Sequence, residues 1–340
     1  MYYSFLRNYL NDFAVIKSKA SPNTAVSFEK VNATSIDFSE KNIIILCGNG
    51  SKSQSRAEYY SYLCRNWIKD PKFKFDVTTY SIYYPNYQPL FNEDPNITLN
   101  YKQLADELFS QVIYKNNQVL SVKKIKANLK NTIFFGHSAG GLVMNELMKN
   151  FGNMLKNANF SKSEIKEIYE SMIFIAYAPY QLVEAPIKSI YVAPIYDSIG
   201  SAKLIYKRIL KNKNVTSSIP RLDIFETSKI TSRTTTNFIK KYTEKIGERN
   251  TLYFLDENSL MSTPNLLYFD GRKEDHNFAG AICYNQHNPH QTKSGKLTSK
   301  FLQNVFDYCL TTERDDFNLL ELYQETIQAE KKDKVPHLIN

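Results

Sequence analysis

Glycine, proline and histidine are scarce in this sequence, with 11 glycines, 12 prolines and 5 histidines in 340 residues. So little glycine and proline excludes collagen-like and low-complexity architectures. Cysteine is also rare. Cys47, Cys64, Cys283 and Cys309 are widely spaced and form no C-x-x-C pair, so free thiols in a reducing compartment are the simpler reading. No apolar run approaches the ~20 residues of a membrane span. The N-terminal stretch is interrupted by Arg7, Asn8, Asn11 and Asp12 and lacks the apolar core of a secretory signal. The expectation is a cytoplasmic protein, or one exported without a signal peptide.

What is present is globular chemistry. Hydrophobic residues make up 42% and charged residues 23%, which excludes a mostly disordered chain. Lys and Arg total 43 against 34 Asp and Glu, a net charge of +9. The densest basic groups are Lys207–Lys213, Lys240–Lys245 and Lys331–Lys334. Such a surplus suits an anionic membrane surface or an acidic partner, but spread along the chain it reads first as a solvated basic surface. No nucleic-acid-binding motif accompanies it, so no nucleic acid is expected as partner.

Strand and helix patterns alternate along the chain. The first 40 residues read as an N-terminal extension: a helix, then short strands at Ala25–Phe28 and Thr34–Phe38. Asn42-Ile-Ile-Ile-Leu-Cys47 is a β-branched run ended by Gly48-Asn49-Gly50, the pattern of a buried parallel strand. A helix over Ser55–Ile68 follows, then a strand at Phe75–Tyr80 and an amphipathic helix at Tyr101–Tyr114. Further strands are expected at Thr132–Phe135, Ser171–Tyr177, Ile190–Ala193, Thr251–Leu255 and Leu266–Phe269, with helices at Gly141–Phe151 and Lys296–Leu310. This alternation is the mark of an α/β fold with a mainly parallel central sheet flanked by helices. The basic, partly helical stretch over about 198–250 reads as a cap or insertion in a main domain spanning 41–310. Residues 311–340 read as a C-terminal helix and tail.

The segment that carries chemistry is Gly136-His137-Ser138-Ala139-Gly140-Gly141. It contains G-x-S-x-G between a short apolar strand and an amphipathic helix. A serine there sits on a very tight strand-to-helix turn. Gly136 and Gly140 flank it because side chains at those positions would meet neighbouring backbone. The Ser138 hydroxyl is thrust out at the carboxyl end of the sheet, and the free N–H groups of the next helix face a developing negative charge.

This segment resembles the nucleophile elbow of the α/β-hydrolase superfamily, in particular its lipase- and esterase-like serine hydrolases. The resemblance extends in element order over roughly 40–310, but only the elbow is motif-strength. It implies Ser138 as nucleophile, then an acid, then a histidine, in that chain order. It also implies an oxyanion hole. One donor is the N–H of Ala139. The other comes from the loop after an earlier strand, where Cys47-Gly48-Asn49-Gly50 stands, with Asn49 or Gly50 as donor. That loop lacks the family's usual preceding histidine.

His276 is the first candidate for the base, since it lies in a loop after the strand at Leu266–Phe269. His287 and His290, just ahead of the last helix, are the alternatives. His137, inside the elbow, reads as structural. Asp197, following an apolar strand, is the first choice for the acid. Asp256 comes next, then Asp270 and Asp275. Cys283, His287 and His290 offer only three ligands, so no metal is expected, and the implied reaction needs no cofactor. The expected activity is hydrolysis of a lipid or other small acyl ester through a Ser-His-Asp triad and an acyl-enzyme. The other readings are an acyltransferase using the same serine and an inactive α/β-hydrolase-like binding or effector protein.

Overall fold

The structure is a computed structural model that describes residues 13–21, 24–48, 53–65, 68, 76–84, 95–177, 183, 185–192, 251–255, 266–268, 303–309, 322, 325, 328 and 329. The first half contains β1 (Ala14–Ser21), β2 (Thr24–Val31), β3 (Asn42–Leu46), α1 (Gln54–Arg65), β4 (Thr78–Tyr83), α2 (Pro95–Ile113), β5 (Tyr114–Lys115), β6 (Gln118–Val119) and α3 (Val122–Lys130). There follow β7 (Thr132–His137), α4 (Gly140–Asn157), α5 (Lys162–Glu170), β8 (Ile173–Tyr177), β9 (Lys188–Val192), β10 (Thr251–Leu255) and β11 (Leu266–Tyr268). Residues 303–309 form a further helix, α6.

The apolar runs become the centre of one sheet, in the order β11-β10-β9-β8-β7-β3-β4-β1-β2. The seven strands from β11 to β4 are parallel. β1 pairs antiparallel with both β4 and β2 and closes that edge with a hairpin. This is the α/β class with a mainly parallel central sheet expected from the sequence.

Every residue of β3, β7 and β8 is buried. Helices on both faces demand this, and it explains continuous apolar runs instead of alternation with polar residues. The period of two still sorts the side chains. Ile44, Leu46, Phe134 and Phe174 face a core built with α2 and α4, including Leu104, Leu108, Phe109, Val143, Leu147 and Phe151. Ile43, Ile45, Ile133, Phe135 and Ile175 face the opposite core, with Ala57, Tyr60 and Cys64 of α1 and Val305 and Phe306 of α6. The two helices that matter most for the site, α1 and α4, therefore lie on opposite faces of the sheet.

β4 is less apolar, and the hydroxyls of Thr79 and Ser81 are satisfied in the core. Ser61 and Ser81 hydroxyls are 2.8 Å apart, and Thr79 donates to Ser61 Oγ at 3.0 Å. Arg65, at the end of α1, is also buried. Its guanidinium donates to the Ser18 carbonyl at 2.5 Å and the Val77 carbonyl at 3.0 Å, tying α1 to the edge hairpin and to β4. Burial pushes its pKa down to about 10. A lysine has no planar fork to reach both carbonyls. Arg65→Lys is expected to lower stability by about 1–3 kcal/mol, read from the denaturation midpoint at unchanged m-value.

The strand expected at 25–28 lies within β2, whereas the strand expected at 34–38 does not form and an unexpected strand, β1, precedes β2; residues 1–12, where the expected helix would begin, lie outside the described residues. Ala14–Ser21 and Thr24–Val31 are strands, and Ala33–Ser35 is a 3-10 turn. Pairing with β4 makes the first of them a strand, and no local pattern announces that partner. Helices α3 and α5 were not anticipated. α5 carries a readable signal nonetheless: Ser161 and Glu164 form a reciprocal capping box at its start.

Candidate active site

β3 and β7 are neighbours, yet the chain leaves β3 toward α1 on one face and β7 toward α4 on the other. Adjacent strand ends whose chains part to opposite faces leave a crevice at the carboxyl edge of the sheet, the favoured ligand position of open α/β folds. Gly48 ends one wall of it and Ser138 the other.

Ser138 follows directly on β7 with φ 52°. Four described non-glycine residues have positive φ, and the other three are Asn116, Asn117 and Asn159. Asparagine tolerates this region; serine has no such tendency, so strain is concentrated at Ser138. The serine is 7% exposed. Its N–H donates to the Tyr177 carbonyl at 2.9 Å, continuing the β7–β8 ladder one residue past the strand. That N–H is therefore committed to the sheet. No described side chain hydrogen-bonds the Ser138 hydroxyl.

Ala139 turns into helical geometry at φ −61°, ψ −16°, and α4 starts at Gly140 with no side-chain cap and no acidic residue in its first turn. The Gly141 N–H donates to the Ser138 carbonyl at 3.3 Å and the Val143 N–H to the Ala139 carbonyl at 3.0 Å. The Ala139 N–H has no acceptor among the described residues, although Ala139 is 1% exposed. A buried donor without an acceptor is rare and costly, which makes it a ready place for an incoming oxygen.

The glycines allow this crowding. A Cβ on Gly140 would overlap the Leu46 carbonyl oxygen at the end of β3 and lie 3.3 Å from Leu46 Cβ. One on Gly136 would come within 3.0 Å of the Gly140 carbonyl carbon, so the flanking glycines are held apart by nothing larger than hydrogen. Gly48 closes the other side. A Cβ there would lie 2.7 Å from His137 Nδ1, 3.1 Å from the His137 carbonyl oxygen and 3.3 Å from Ser138 Cβ. The loop leaving β3 thus passes flat against the elbow.

Around the turn sit aromatic side chains that sequence reasoning did not single out. The buried His137 Nδ1 is hydrogen-bonded to the Tyr60 hydroxyl. Its ring centroid lies 5.5 Å from that of Tyr60 and 5.7 Å from that of Tyr177, on β8, and the His137 and Tyr177 rings are nearly parallel. Arg56 lies over Tyr60, 5.9 Å from the ring centroid. Spacing could not reveal the His137–Tyr60 pair, because 77 residues separate its members. Cys47, beside Gly48, is fully buried, and burial raises its thiol pKa, so it is held as a neutral thiol and does not compete as a nucleophile.

Of the residues expected at the site, Ser138 and Ala139 are brought together at the crevice. Asn49, Gly50, Asp197, Asp256, Asp270, Asp275, His276, His287 and His290 lie outside the described residues, as do Cys283 and the 198–250 stretch. Cys47, Cys64 and Cys309 are buried, and no disulfide joins them to one another. Among the described residues, no group of three His, Cys, Asp or Glu side chains could hold a metal ion, and no helix is long and apolar enough to cross a membrane.

No protein-family model matches the sequence, and no curated protein matches it. Among solved structures it is similar to EstE1, a thermophilic and thermostable carboxylesterase cloned from a metagenomic library. The TM-score is 0.34 at 10% identity, with 91% of this chain and 98% of that chain covered.

Proposed function

We propose that this protein is a serine hydrolase of the α/β-hydrolase kind that cleaves an acyl ester. The observation that carries this reading is the Ser138 turn: a serine at φ 52° in the crevice between β3 and β7, followed by the N–H of Ala139, which has no acceptor among the described residues. Strain at a serine has no structural purpose there, because glycine or asparagine would make the same turn without it.

In the proposed reaction Ser138 Oγ attacks the acyl carbonyl carbon while His276 takes its proton. Asp197 holds the imidazole and stabilises its charged form. The carbonyl oxygen, now negative, receives the Ala139 N–H and a second N–H from Asn49 or Gly50. The tetrahedral intermediate collapses, the alcohol leaves with the proton from His276, and an acyl-Ser138 ester remains. Water, deprotonated by His276, then releases the acid and regenerates the serine. No cofactor enters. The substrate class is a lipid or other small acyl ester, and the basic 198–250 stretch suits a cap that meets anionic headgroups or an anionic membrane surface.

Labelling with a fluorophosphonate probe, followed by peptide mapping, tests the reading directly. The adduct is expected on Ser138 in the wild type and is expected to vanish in His276→Ala. Labelling that survives in His276→Ala keeps the nucleophile and transfers the role of base to His287 or His290. A folded wild type that does not react would overturn the hydrolase reading in favour of a binding protein.

A further inference from the structure

We propose that Tyr60 is a positioning residue for Ser138, acting through His137; this rests on the reading of Ser138 as the nucleophile. A serine at positive φ keeps that conformation only where its surroundings over-determine it. After Ser138 the constraint is the start of α4, and before it the constraint is His137. The His137 backbone is paired with Tyr177 in the β7–β8 ladder, and its carbonyl oxygen lies against Gly48. Its side chain is held from the opposite element: Tyr60, in the middle of α1, bonds Nδ1 from across the β3–β7 crevice wall.

The direction of that bond follows from the groups. A phenol is a far stronger acid than a neutral imidazole N–H, so the Tyr60 O–H donates and Nδ1 accepts. Arg56 strengthens the donor. Its guanidinium carbon is 5.9 Å from the Tyr60 centroid and 5.7 Å from that of Tyr59, and a cation over the ring face draws electron density from the phenol. An accepting Nδ1 places the imidazole proton on Nε2. The ring then has one tautomer and one orientation, wedged between Tyr60 and Tyr177. A His137 free to rotate would let the peptide before Ser138 tilt, and the hydroxyl would leave the line of attack. Misplacement of a reacting atom by an ångström is enough to slow chemistry strongly.

Tyr60→Phe removes the hydroxyl and keeps the ring, its packing and the Arg56 contact. With p-nitrophenyl butyrate, kcat is expected to fall about tenfold with KM within about twofold, because ground-state binding does not involve this bond. Fluorophosphonate labelling of Ser138 is expected to slow about tenfold as well. His137→Asn, whose Oδ1 stands near the place of Nδ1, is expected to keep kcat within about threefold, whereas His137→Leu loses about tenfold. Tyr60→Phe in the His137→Leu background is expected to add nothing, the signature of two residues acting as one. Nitrogen-15 NMR of the His137 ring gives a readout independent of turnover: the Nε2–H tautomer in the wild type, changed in Tyr60→Phe. Wild-type kcat and labelling rate in Tyr60→Phe would overturn the positioning role, as would losses that multiply in the double variant. A wild type that shows the tautomer signature but neither labels nor turns over overturns the nucleophile reading itself, and the bond is then structural alone.

Discussion

Ser138→Ala is expected to lower ester turnover by roughly 10⁴- to 10⁶-fold while leaving the unfolding free energy within about 0.5 kcal/mol of wild type. The activity loss follows from deleting the nucleophile of a covalent mechanism. The small effect on stability follows from the site: no described side chain bonds the Ser138 hydroxyl, and alanine inherits the same φ of 52°. Ser138→Gly separates the two roles of the position. It is equally inactive, but glycine adopts positive φ without the steric penalty of a Cβ, about 1–2 kcal/mol. Part of that gain is offset by glycine's greater chain entropy when unfolded, about 0.5–1 kcal/mol. Ser138→Gly should therefore be more stable than Ser138→Ala by up to about 1 kcal/mol in denaturant titrations. A glycine variant less stable than the alanine variant would mean the turn is not strained, and the argument from strain to function would fall with it.

Gly140→Ala is expected to be the most damaging added methyl among the described glycines. The added carbon would overlap the Leu46 carbonyl oxygen, which is backbone in a central strand and cannot rotate away. Relief requires α4 to move off β3, and α4 carries Val143, Leu147 and Phe151 into the core. The expected loss is about 3 kcal/mol or more, visible as a large drop in the denaturation midpoint. The displaced helix also carries the Ala139 N–H away from Ser138, so any residual folded protein should label more slowly with the fluorophosphonate probe. Gly48→Ala makes a contrasting companion. Its Cβ would meet the His137 ring and carbonyl at 2.7 and 3.1 Å, so its effect is expected chiefly on Ser138 reactivity and less on stability. A Gly140→Ala protein with the wild-type midpoint would show that the contact between β3 and the elbow is looser than described.

Legibility in the sequence followed the range of the interactions. The run Ile43-Ile44-Ile45-Leu46 announced a strand buried on both faces, because a residue needs only apolar neighbours, whichever they are, to make that pattern. G-x-S-x-G announced a tight turn because its constraints lie within five residues. The strand β1 was not legible because its partner, β4, is more than 50 residues away and its own residues mix lysine with valine and isoleucine. Ser61, Thr79 and Ser81 gave no hint of their buried hydroxyl cluster for the same reason.

The sequence by itself determined the class of the fold, the position of the serine and the helix that follows it, since each is written in local spacing and in the clash of a Cβ with its near neighbours. Only the tertiary structure decided that β3 and β7 lie side by side with their helices on opposite faces, that Gly48 meets the elbow, and that Tyr60 reaches His137. Those facts depend on which strands pair and in what register, and pairing is settled by the summed burial of two cores rather than by any one stretch of residues.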